Sequence, residues 1–98
     1  MTNYVPHYSK KKQILARKEE ALRRLISTCA TSEKLLRAAE MVRDARVRVL
    51  LAQRATIRPI DDAQKLYDQI DDRILIIEAT SLDSILSDFG YTYDGPSD

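Results

Sequence analysis

Residues 33–57, EKLLRAAEMVRDARVRVLLAQRATI, decide the fold. Leu35, Val42 and Val49 recur every seven residues, and Ala38, Ala45 and Ala52 recur every seven beside them. That is the seam pattern of packed helices, with alanine throughout one position so that a neighbouring backbone can come close. Leu36, Ala39, Val47 and Leu50 widen the apolar arc to roughly 220° at about 100° per residue. One neighbouring helix cannot cover an arc that wide, so this helix is expected to be central, with neighbours on more than one side.

The flanking sequence supplies those neighbours. Residues 9–30 contain no helix breaker, begin with Ser9 as a cap, and gather Ile14, Leu15, Ala21, Leu22, Leu25, Ile26 and Cys29 within roughly 140°. Cys29 then reads as a small hydrophobe on that apolar face. Residues 1–8 read as an N-terminal arm. Thr31 or Ser32 can cap the central helix, with Glu33 in its first turn. Downstream, Arg58-Pro59 ends it, because the residue before proline is pushed out of helical geometry.

Asp61 or Asp62 is positioned to cap a third helix over 61–79, in which Ile60, Ala63, Tyr67, Ile70, Ile74 and Ile77 follow three-four spacing. Thr80-Ser81-Leu82-Asp83 matches a capping-box spacing for a short helix over 81–89, closed by Gly90, and 90–98 form a tail. The expectation is one all-α domain spanning 1–98: three long antiparallel helices in an up-down-up bundle, plus a short C-terminal helix. A second copy is the candidate to complete the wide face as a coiled-coil-like homodimer.

Composition excludes several classes. Two glycines and three prolines in 98 residues are too few for a small all-β domain or a Gly-rich phosphate loop. One cysteine and one histidine provide neither an internal disulfide nor a zinc quartet, which suggests a reducing, cytoplasmic setting. No apolar run approaches the roughly 18 residues of a membrane span, and the lysines of MTNYVPHYSKKK follow polar and aromatic residues rather than preceding an apolar stretch, so no leader and no membrane partner are expected. The net charge of +1 hides an asymmetry. Residues 1–58 hold 14 Lys/Arg against 5 Asp/Glu, whereas 59–98 hold 2 against 10. Halves of +9 and −8 suggest either a basic surface for a partner or two halves that dock on each other, with stability then falling at high salt.

Five groups of residues carry functional expectations. His7 and Cys29 have no sequence neighbours able to form a catalytic constellation, so neither an enzyme nor a bound cofactor, metal or small-molecule substrate is expected. Lys18, Arg46 and Gln53 project into apolar arcs, where they must pair, snorkel or meet a partner; with Ala38, Ala45 and Ala52, Arg46 marks a self-association seam. Arg43 and Arg54 are suited to the aspartates of the third helix. Leu82, Ile85, Leu86 and Phe89 fall at i, i+3, i+4 and i+7, the anchor spacing of helix-in-groove ligands. The leading expectation is therefore a non-enzymatic protein–protein interaction module. The alternative is a nucleic-acid-associated protein using Lys10, Lys11, Lys12, Arg17 and Arg24 of the first helix.

Overall fold

The computed structural model describes residues 4–60 and 62–91, with side chains from Tyr8 onward. They form four helices, α1 (Tyr4–Ser27), α2 (Ser32–Ala55), α3 (Ala63–Ala79) and α4 (Leu82–Asp88). Residues 1–3 of the arm, Asp61 and most of the tail lie outside the described residues. Helix α1 starts earlier than a Ser9 cap predicts. Pro6 falls in its first turn, where backbone N–H groups have no acceptor within the helix and a missing one costs little.

The turn between α1 and α2 is a backbone device that periodicity does not report. The N–H of Ala30 donates to the Leu25 carbonyl at 3.0 Å and that of Cys29 to Ile26 at 3.2 Å, a Schellman closure. Its left-handed position is Cys29, at φ 56°, so the residue expected on the apolar face is exposed on the turn instead. Thr31 then caps α2 by accepting the N–H of Lys34 at 3.3 Å, as its sequence position suggests.

Helix α4 uses the same two devices. Its cap is Ser81, which accepts from the N–H of Ser84 at 3.1 Å, one residue later than a Thr80 box would have it; Thr80 instead ends α3. At its other end Gly90, at φ 88°, donates to Ser87 and Tyr91 donates to Leu86, so the expected glycine closure is present. Asp62 stands at the α3 cap position without a side-chain capping bond. Ile60, assigned to the α3 seam by spacing, precedes the helix and is 65% exposed.

Helix α2 packs against each of the other three, while among the described residues no Cα of α1 comes within 8 Å of one in α3. The molecule is a slab rather than a ring of helices about one axis. Three helices abreast at 8–10 Å spacing need about 20–25 Å of width and a second layer about 9 Å more, which suits the principal extents of 56 × 25 × 16 Å. The core lies toward one end, where Leu22 of α1, Leu35, Ala39 and Val42 of α2, and Ile85 and Leu86 of α4 bury one another. Helix α3 buries little by comparison, only Ala63 and Ile70 falling in the fully buried class.

The opposite charges of the two halves are joined by few bonds. Arg54 meets Asp71 through two hydrogen bonds of 2.9 and 3.3 Å and covers the Tyr67 ring at 4.4 Å, while Tyr67 donates to the Ile57 carbonyl at 3.2 Å. Arg43, the other arginine expected to meet an aspartate, donates to the Thr80 carbonyl at 2.9 Å. Arg54–Asp71 is the one ion pair between the halves among the described residues. With its side chains 39% and 47% exposed, it contributes less than about 1 kcal/mol. Docking of the halves therefore rests on apolar packing, and salt removes little of it.

The strained turn provides a test. A left-handed conformation costs a residue with a side chain roughly 1–2 kcal/mol relative to glycine, partly offset by glycine's greater freedom in the unfolded chain. Cys29→Gly should therefore raise the melting temperature by a few degrees, and Cys29→Val should lower it, in thermal denaturation under reducing conditions. Equal melting temperatures would show that the turn stores no strain.

Candidate docking trough

Four residues of α2 form one face of the helix: Val42, Arg46, Val49 and Leu50 lie within about 100° of one another around its axis. Over the first half of that face α4 supplies a lid, with Leu82, Ile85, Leu86 and Phe89 turned onto α1 and α2. A seven-residue helix is about 10 Å long, against about 36 Å for α2, so the lid cannot extend over the whole face. Beyond it the same face is open. Leu15 of α1 forms one wall, Arg73, Ile76 and Ile77 of α3 form the other, and Arg46, Val49 and Leu50 are the floor. The trough is open to solvent and offers about 330 Å³.

The junction between lid and trough is polar and built around one ring. Phe89, just after α4, lies 5.1 Å from the Arg23 guanidinium and 5.9 Å from that of Arg46, which also reaches Glu19 at 3.7 Å. Arg46 thus resolves its place in an apolar arc by keeping its charge partly exposed, over the Phe89 ring and near a carboxylate. Lys18 reaches the other side of the slab and lines a groove there with Lys11, Glu40, Asp44, Arg48 and Glu78. That groove is larger, at about 750 Å³, but charges of both signs line it, and Asp44 and Arg48 already pair at 2.8 Å. The smaller trough is lined mainly by apolar side chains and has no occupant among the described residues.

The residues singled out by sequence fall into three positions. Ala45 and Ala52 are each 5% exposed, and Ala38 packs beside the core, so the alanine seam is covered within a single chain while Arg46 lines the trough. The anchors of the C-terminal helix are likewise spent on the chain's own core, Ile85 and Leu86 being buried and Leu82 and Phe89 packed beside them. The basic residues of α1 are not collected into one patch. Lys10, Arg17 and Arg24 share an exposed stripe at seven-residue spacing, with Arg24 3.6 Å from Glu20, whereas Lys11 lines the far groove and Lys12 covers the Tyr8 ring at 5.1 Å. The side chain of His7 lies outside the described residues.

Sequence reasoning missed Ile76 and Arg73. The signal was the run Ile74-Leu75-Ile76-Ile77, in which a three-four seam uses only Ile74 and Ile77 and leaves two large apolar residues over. Leu75 and Ile76 are 64% and 67% exposed. If Ile76 faces a docking trough rather than the core, Ile76→Glu should change the unfolding free energy by no more than about 0.5 kcal/mol. Leu22→Ala in the core should cost roughly 2–5 kcal/mol in the same urea titrations. A loss at Ile76 comparable to that at Leu22 would return it to the core. No protein-family model matches the chain, and no curated protein or solved structure does so either.

Proposed function

We propose that the chain is a non-enzymatic protein–protein interaction module, its long helices in up-down-up order, that receives a helix of a partner protein in the trough between α1 and α3. The observation that carries this reading is the half-covered face of α2. One half holds the internal helix α4, and the other half has the same apolar character but no occupant within the described chain. Isolated exposed apolar residues are ordinary on a protein surface; a contiguous apolar depression is the feature associated with binding. Its place over α2, walled by α1 and α3, suits the helix-in-groove mode, in which anchors at i, i+3, i+4 and i+7 enter the depression. An exposed, unpaired Cys29 is compatible with a reducing compartment such as the cytoplasm.

Nucleic-acid binding by α1 has weaker support, since Lys10, Arg17 and Arg24 form a narrow stripe and Glu20 lies against the last of them. A photo-crosslinking amino acid placed at Ile76, and in a second protein at Arg17, separates the two readings in native cells. The docking reading predicts protein adducts from Ile76 that disappear when Val49→Glu is added, and none of comparable yield from Arg17. Adducts chiefly from Arg17 to nucleic acid, or equal protein adducts from both positions, would overturn it.

A further inference from the structure

The lining of the trough specifies the charge of its partner. Its apolar part consists of Leu15, Val49, Leu50, Ile76 and Ile77, and its two polar members are both arginines, Arg46 and Arg73. Arg73 is exposed and has no ion pair or hydrogen-bond partner among the described residues. The one carboxylate paired with Arg46 among the described residues is that of Glu19, at 3.7 Å, longer than the 2.7–2.9 Å of a charge-assisted hydrogen bond, so donors remain for another carboxylate. Among the described residues, no acidic side chain lines the depression. An incoming helix therefore meets apolar walls edged by two cations.

The chain contains its own example of what fits such a surface. Helix α4 turns Leu82, Ile85, Leu86 and Phe89 inward and leaves Asp83 and Asp88 exposed, on the same face of α2 and abutting Arg46 through Phe89. Resting on the docking reading above, we infer that the trough selects an acidic amphipathic helix of a partner protein, with apolar anchors for Leu15, Val49 and Ile77 and carboxylates for Arg46 and Arg73. A basic amphipathic helix of the same anchor pattern is disfavoured, because it brings like charges to both arginines as it excludes water from them.

The test uses the full chain and two labelled peptides of about 16 residues, long enough to favour helix. Both carry leucine at i, i+3, i+4 and i+7; one fills its other face with Glu and the other with Lys. Anisotropy titrations should show the acidic peptide binding at least about tenfold more tightly at low salt, with Arg73→Glu abolishing or reversing the preference. Amide chemical-shift changes should cluster about Leu15, Val49 and Ile77. Equal or tighter binding of the basic peptide, acidic binding indifferent to Arg73→Glu, shifts confined to the α4 seat about Leu35 and Ile85, or no binding of either peptide overturns the inference. Basic-peptide binding that Ile76→Glu removes would cancel only the acidic selectivity and leave the docking reading standing. Failure of the docking reading itself is read from the crosslinks at Ile76.

Discussion

The apolar surface of α2 is wider than any one neighbour can cover, and the rest of the fold follows from that excess. Helix α1 covers one flank, α3 the other, and α4 lies over the first half of the face between them. Among the described residues α1 and α3 are held apart by the helix they share, with no Cα of one within 8 Å of the other. The second half of the central face is left as a depression. Its existence is a matter of length: a seven-residue lid on a 24-residue helix.

The energetic weight is distributed unevenly for the same reason. Near α4, three helices exclude water together, and Leu22, Leu35, Ile85 and Val42 are its largest fully buried side chains. Schellman turns close the C-terminal ends of α1, at Cys29, and of α4, at Gly90, and the first of them turns the chain from α1 into α2. At the far end α3 is held to α2 by a modest apolar contact, one half-exposed ion pair and the Tyr67 hydroxyl. That end can therefore accommodate a partner without dismantling the core. Electrostatics plays a smaller part in the fold than the opposed charges of the halves suggest, since most of the cations of α1 face solvent and most acidic groups of the C-terminal half do so too. Charges that face solvent are available for selecting partners.

Much of this architecture is legible in the sequence. The width of the α2 arc announces a central helix, and Thr31 and Gly90 announce their caps, because each depends on local spacing. Cys29 was misplaced because helical angles lose meaning once the chain enters a left-handed turn, and only glycine or asparagine usually signals that turn. Ile60 continues the α3 spacing numerically but stands before the helix begins. The trough required knowing where the lid stops, a relation between α4 and α2 that no periodicity within either helix contains. Only the surplus apolar residues Leu75 and Ile76 hinted at it. The small residues of the alanine seam are packed within the chain itself, Ala45 and Ala52 being buried and Ala38 beside the core.

Native-state hydrogen exchange tests most directly whether one end of α2 carries the stability and the other is left open. Amides of Leu22, Leu35 to Val42 and Leu86 should exchange only through global unfolding, while those of α3 should exchange through a partial opening of lower free energy. Uniform protection across α1, α2 and α3, with one free energy equal to that of global unfolding, would contradict this account.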